Sequence, residues 1–145
     1  MMKPLVLLVD DEAPFVETMT KRLSKRDLRI ITAFSGEEAL ELLDKNRNTD
    51  VVILDVKMPG MDGIETLEKI RNQFPLMEVI MLTGHATVET AIEGMKLGAF
   101  DYLMKPCEIE QLMAKVQEAA KKKRDHEEKI REARVREALS AHGLE

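Results

Sequence analysis

The stretches LVLLV (Leu5–Val9) and VVIL (Val51–Leu54) are apolar at every position. Runs of this kind fit strands that are buried on both faces, as in the centre of a parallel sheet covered by helices. Three more short runs have strand character, at 29–33, 78–82 and 101–104. The segments between them carry apolar residues at helical spacing. We therefore predict an α/β fold with a doubly wound, five-stranded parallel sheet.

The C-terminal part predicts one long helix. Residues 108–139 contain no Pro or Gly and are rich in helix formers, so a helix about 45 Å long is expected at 1.5 Å per residue. Its first apolar residues can pack on the sheet, and they are Ile109, Leu112, Val116 and Ala119. Apolar residues become sparse beyond Ala120. We expect a folded domain over 1–120 and a charged helical extension or linker over 121–145.

Charge and composition exclude several classes of protein. The chain is 34% charged with a net charge of −5 and has no apolar run long enough to span a membrane. One cysteine, Cys107, cannot form an internal disulfide, so a cytoplasmic location is expected. The first 120 residues are acidic, which argues against direct binding of nucleic acid, since such binding depends on clustered Lys and Arg.

Polar side chains follow the predicted strands at their carboxyl ends, where α/β sheets bind ligands. They are Asp10 and Asp11 after the first strand, Asp55 after the third, Thr83 after the fourth and Lys105 after the fifth. Carboxyl ends of parallel strands meet at one edge of the sheet. The sequence therefore predicts a site made of three carboxylates, a hydroxyl and an ammonium group.

This combination suits phosphoryl transfer with Mg²⁺. Clustered carboxylates repel one another unless a cation compensates, and Mg²⁺ takes carboxylate and phosphate oxygens. Lys105 could pair with Asp55 or with a phosphoryl oxygen, and Thr83 could donate a hydrogen bond to the same oxygen. Asp55 is the predicted nucleophile because it ends the middle-numbered strand and opens the loop DVKMPGMDG, which can form a tight turn. Asp10 and Asp11 are better placed to hold the cation.

Four motifs in order resemble the receiver domains of two-component response regulators, in particular those of nitrogen-regulation type. They are VDDE at 9–12, ILDVKMPGMDG at 53–63, MLTGHA at 81–86 and FDYLMKP at 100–106. The resemblance covers residues about 5 to 120 and implies a flavodoxin-like (βα)5 fold. It implies that Asp55 is the phosphoacceptor and that Asp10, Asp11, Asp55 and the backbone carbonyl of Lys57 bind Mg²⁺.

The same resemblance assigns further roles. Thr83 and Lys105 match the switch hydroxyl and the site lysine, and Tyr102 matches the aromatic residue that changes rotamer on activation. Lys57 and His85 border the pocket and are expected to tune the lifetime of the phosphoryl group. The Lys105–Pro106 peptide is often cis in this family. The domain is expected to assist its own phosphorylation and dephosphorylation and to have no enzymatic activity on external substrates.

The resemblance also implies partners. A histidine kinase would donate the phosphoryl group, and an output domain or effector protein would receive the signal. A homodimer is expected through the face of the fourth helix, fifth strand and fifth helix, or through the C-terminal helix, whose heptad pattern is weak.

Two other functions known for similar α/β sheets fit these residues less well. An aspartate-nucleophile phosphatase on a similar sheet would need a second acid two residues after Asp55, where Lys57 stands. A flavin carrier would need a phosphate-binding loop after the first strand, where Asp10 and Asp11 would repel phosphate. Both are disfavoured.

Overall fold

The computed structural model of the chain describes residues 3–84 and 87–143. Five strands and five helices alternate along the chain. The strands are β1 (Leu5–Val9), β2 (Arg29–Ala33), β3 (Val51–Leu54), β4 (Glu78–Thr83) and β5 (Asp101–Met104). The helices are α1 (Ala13–Ser24), α2 (Gly36–Lys45), α3 (Gly63–Gln73), α4 (Val88–Lys96) and α5 (Ile109–Ala141).

All strands are parallel and form one sheet in the order β2-β1-β3-β4-β5, which confirms the predicted fold. Alternate residues of β1 belong to the two apolar cores on opposite faces of the sheet. Val6 and Leu8 pack with α1 and α5, whereas Leu7 and Val9 pack with α2 and α3. Every residue of β1 and β3 is buried, as their uninterrupted apolar runs predict, and every residue of β4 is buried as well.

Strand β4 is one residue longer than predicted. Thr83 belongs to the strand because it pairs in register with Met104, and its carbonyl accepts a hydrogen bond from the Lys105 N–H at 2.9 Å. The Lys105–Pro106 peptide is cis, as the resemblance suggests.

Side chains cap the N-termini of helices α2, α3 and α4. Ser35 accepts a hydrogen bond from the Glu38 N–H at the start of α2, the role that serine commonly has at helix N-termini. Asp62 caps α3, and Thr87 forms a reciprocal capping box with Thr90 at α4. These caps define the loop ends next to the carboxyl edge of the sheet.

Helix α5 is continuous past Ala120, with Leu112, Val116 and Ala119 buried as predicted. The division at residue 120 stays a prediction. Within 3–84 and 87–143, no helix has both the length and the apolar character needed to cross a membrane.

A buried charge cluster joins α5 to the amino edge of the sheet. The Asp50 carboxylate, directly before β3, accepts a hydrogen bond from the Leu5 N–H at 2.9 Å. It also lies 3.2 Å from the Lys123 ammonium and 3.3 Å from the Arg124 guanidinium. Lys123 is buried and pairs in addition with Glu127 at 3.1 Å. The helix is therefore held to the domain beyond Ala120 through Lys123 and Arg124.

The Asp50 cluster generates a prediction about stability. Asp50→Asn should lower the free energy of unfolding by about 3 kcal/mol, because the buried Lys123 ammonium and the partly buried Arg124 guanidinium lose the Asp50 carboxylate. The matched control is Asp125→Asn, which removes an exposed partner of Lys121 and should change stability little, because exposed ion pairs are screened by water. Urea unfolding measures both. Equal effects of the two variants would contradict a structural role for the Asp50 cluster.

Candidate functional site

The carboxyl edge of the sheet holds the predicted site residues. The Asp10 N–H donates to Ala33 O at 3.1 Å, and the Asp55 N–H donates to Val9 O at 3.0 Å. Both residues thus continue the hydrogen-bond ladder one step beyond their strands. Their backbones are fixed by the sheet, so the two carboxylates are held side by side at its edge.

Three carboxylates meet there, as the sequence predicts. Oxygen atoms of Asp10, Asp11 and Asp55 all lie within 4.8 Å of one another. Asp10 and Asp55 are buried, whereas Asp11 is exposed. Backbone N–H groups orient the buried pair, since Glu12 donates to Asp10 Oδ1 at 2.9 Å and Val56 donates to Asp55 Oδ1 at 2.8 Å. The arrangement offers hard oxygen ligands to a divalent cation.

The environment of Asp10 disfavours its ionised form. Burial raises the pKa of Asp10, and the nearby charge of Asp55 adds to that effect. Hydrogen bonds from Lys105 and from the Glu12 N–H oppose the rise but do not cancel it. The ionised form of Asp10 is therefore costly in the folded protein, and added positive charge would relieve that cost.

Lys105 supplies part of that charge. Its ammonium lies 2.6 Å from Asp10 Oδ2 and 3.6 Å from Glu12 Oε1. Burial lowers the pKa of Lys105, but the hydrogen bond with Asp10 and the charges of Asp10, Asp55 and Glu12 outweigh burial, so the pKa lies above its ordinary value. Asp10 is therefore the carboxylate that pairs most closely with Lys105, whereas the sequence suggested Asp55 or a phosphoryl oxygen as its partner.

The loop after Asp55 forms the tight turn expected from its glycines. The Gly63 N–H donates to Val56 O at 2.7 Å, and Gly60 has a φ of 73°. A Cβ atom on Gly63 would lie 2.0 Å from Asp55 O, so any larger residue would push the loop away from the site. Lys57 lies in this loop.

An open cavity of about 480 Å³ lies beside the acidic cluster. Its lining residues are Asp11, Glu12, Lys57, Met58 and Pro59. The predicted role of the Lys57 carbonyl as a metal ligand stays a prediction. His85, predicted to modulate the lifetime of the phosphoryl group, lies outside the described residues.

The two predicted switch residues occupy neighbouring strands. Thr83 is fully buried at the end of β4. Tyr102 on β5 is half-buried, and its hydroxyl lies 2.9 Å from Thr90 Oγ1 at the start of α4. Sequence reasoning missed Thr90. The pattern Thr87-x-x-Thr90 before a helix could have identified it as a cap, although not as a partner of Tyr102.

Comparison with known proteins agrees with this geometry. The family model described as response regulator receiver domain matches residues 6–117. The DNA-binding transcriptional regulator NtrC of Escherichia coli (strain K12) is 35% identical over 119 residues, covering 82% of this chain and 25% of that protein. The transcriptional regulatory protein ZraR of Escherichia coli O157:H7 is 38% identical over 114 residues, covering 79% of this chain and 26% of that protein.

Solved structures agree as well. A response regulator receiver domain protein from Clostridium thermocellum has a TM-score of 0.80 and 36% identity, covering 83% of this chain and 97% of that one. This chain spans about a quarter of the length of the two curated relatives above. These similarities do not support the phosphatase alternative. Fold, motifs and comparisons together show that the chain belongs to the response regulator receiver domain family.

Proposed function

We propose that this chain is a phosphorylation-dependent signalling switch in which Asp55 accepts a phosphoryl group from a histidine kinase. The observation that carries the proposal is the buried Asp55 carboxylate within 4.8 Å of those of Asp10 and Asp11. Because the Val56 N–H holds Oδ1, we assign Oδ2 as the attacking oxygen. The bond from Oδ2 to phosphorus forms as the bond from phosphorus to the histidine nitrogen breaks.

Mg²⁺ is the cation that suits this ligand set. The candidate ligands are the carboxylates of Asp10, Asp11 and Asp55 and the backbone carbonyl of Lys57, and oxygen ligands of this kind are those Mg²⁺ prefers. When bound, Mg²⁺ would supply positive charge near the transferring phosphoryl group. The raised pKa of Asp10 supports the assignment, because it reflects buried negative charge that a cation would compensate.

Lys105 and Thr83 complete the proposed site. The Lys105 ammonium neutralises charge on a phosphoryl oxygen, and the Thr83 hydroxyl donates a hydrogen bond to such an oxygen. By positioning these groups the domain assists its own phosphorylation and dephosphorylation. Movement of Thr83 leaves room for Tyr102 to turn inward, which breaks its hydrogen bond with Thr90 and shifts α4.

The output of the switch is a change of protein contacts. Its recipient is an output domain in a longer transcriptional regulator or a separate effector protein, consistent with the named functions of the relatives. We assign the receiver to residues 1–120 and a charged helical extension or linker to 121–145. A cytoplasmic location fits the histidine-kinase donor.

Two exposed apolar surfaces support a homodimer. Helix α4 buries Gly94 and exposes Val88, Ile92 and Met95, next to the exposed Met104 on β5. The outer part of α5 exposes Ile130, Val135 and Leu139. We propose that two copies associate through the α4–β5–α5 face or through the outer part of α5.

The first prediction concerns the phosphoacceptor. Incubation with phosphoramidate and Mg²⁺ should add one phosphoryl group to the protein, and Asp55→Asn should abolish this addition because the amide is not a nucleophile. Intact-protein mass spectrometry measures it. The control is Asp62→Asn in the same loop, which keeps the α3 cap and should label normally. Labelling of Asp55→Asn, or labelling that persists in excess chelator, would refute the assignment.

The second prediction concerns Asp10 and the cation. With chelator present, the Asp10 carboxyl should titrate above its ordinary pKa, and Mg²⁺ should lower that pKa. An acid whose pKa is raised by folding destabilises the folded state at neutral pH, and this cost disappears as pH falls through the raised pKa. Carboxyl ¹³C NMR measures the titration.

Asp125 serves as the control for that titration. Its pKa is lowered by the hydrogen bond from Lys121, and Mg²⁺ should leave it unchanged. A pKa of Asp10 that does not respond to Mg²⁺ would contradict the metal site.

The third prediction concerns self-association. Deleting residues 129–145 should weaken dimerisation if the outer part of α5 is the interface, and Ile92→Glu should weaken it if the α4–β5–α5 face is. The deletion begins after Glu128 because a cut at residue 120 would also remove Lys123 and Arg124 from Asp50. Sedimentation velocity of the phosphorylated protein measures both variants. A monomeric wild-type protein, or two variants that dimerise normally, would contradict the proposal.

A further inference from the structure

Phe15 contacts the site, although neither the motifs nor the acidic cluster points to it. It lies in the first turn of α1, half-buried, and packs against the core that α1 and α5 share. The face of its ring lies 3.8 Å from the Lys105 ammonium, measured to the ring centroid. This distance is well inside the range in which an aromatic face attracts a cation.

Three groups surround the Lys105 ammonium. Asp10 Oδ2 lies at 2.6 Å, Glu12 Oε1 at 3.6 Å and the Phe15 ring at 3.8 Å. The Lys105 side chain is only 15% exposed, while that of Glu12 is 63% exposed. The Phe15 ring therefore provides an apolar contact that also shields the Lys105 ammonium from water.

We propose that Phe15 is a positioning residue that holds the Lys105 ammonium at the acidic cluster for phosphoryl transfer to Asp55. This inference rests on the proposed function and adds a residue to it. Asp10 and Glu12 attract Lys105 by charge, and Glu12 is exposed enough to draw the ammonium outward. The ring restricts the ammonium to the side of the site where Asp10 and Asp55 lie.

The physical reason is the flexibility of lysine. Its flexible four-carbon side chain loses considerable rotamer freedom when the ammonium is fixed in one place. A cation–π contact in a partly desolvated position offsets part of that cost. Without the ring, Lys105 would spend less time at the site, and the phosphorylation rate would fall in proportion.

The contact itself is tested by NMR in the unphosphorylated protein. Protons above an aromatic face shift upfield, so the Lys105 Hε signals should lie upfield of the other lysines, with assignment from Lys105→Met. Phe15→Leu should return them to ordinary values, and Phe15→Tyr should keep them upfield. Lys105 Hε signals that do not move in Phe15→Leu would overturn the proposal, whether or not Asp55 becomes labelled.

The positioning role is tested by the rate of phosphorylation with phosphoramidate and Mg²⁺. Phe15→Leu should slow labelling by about threefold to tenfold, whereas Phe15→Tyr should stay close to wild type. In a Lys105→Met background, Phe15→Leu should cause no further loss, because the group it positions is gone. The same fractional loss in both backgrounds would show a general structural effect and would overturn the proposal.

Phe100→Leu is the matched control for size. Phe100 packs against the same core, and its ring lies 5.7 Å from the Lys122 ammonium. Phe100→Leu makes the same change away from Lys105 and should leave the Lys105 Hε signals in place. If wild-type protein is not labelled at all, the proposed function fails, and the NMR result still decides whether Phe15 holds Lys105.

Discussion

Burial of β1, β3 and β4 on both faces is the constraint on which the rest of the structure depends. A strand covered on both sides by apolar layers has no place for a charged side chain except at its ends. Asp10 and Asp55 lie at the carboxyl ends, and Asp50 and Glu78 lie at the amino ends. The molecule therefore has two charged edges separated by an apolar sheet.

Asp50 and Asp10, one buried carboxylate from each edge, differ in how their charge is compensated. At the amino edge, Asp50 is matched by Lys123, by Arg124 and by the Leu5 N–H, so its charge is compensated within the fold. At the carboxyl edge, Lys105 compensates Asp10 only in part, and the pKa of Asp10 stays raised. The first arrangement stabilises the attachment of α5, and the second leaves a negative site that would attract a cation.

Much of this could be predicted from the sequence because the relevant signals are local. Apolar runs mark the buried strands, and the residue after each run marks the carboxyl edge, which is why Asp10, Asp55 and Lys105 were found. Gly60 and Gly63 likewise predicted the tight loop. The structure explains Gly63, because a Cβ atom there would clash with the Asp55 carbonyl.

The contacts that escaped prediction join residues distant in the chain. Asp50 and Lys123 are 73 positions apart, and no local pattern distinguishes Lys123 from the other basic residues of α5. Lys105, just after β5, and Phe15, in α1, come into contact only when these two segments pack together in the fold. Such contacts depend on three-dimensional packing and rotamers, which residue spacing along one segment does not determine.

The central claim, that Asp55 is the group this fold prepares for phosphorylation, is tested most directly by locating the modified residue. Borohydride reduces an aspartyl phosphate to homoserine, and tandem mass spectrometry of the digested protein then identifies the position. The account predicts homoserine at residue 55 after treatment with phosphoramidate and Mg²⁺, with aspartate retained at residues 10 and 11. Homoserine at residue 10 or 11, or at no position in protein that has gained a phosphoryl group, would contradict it.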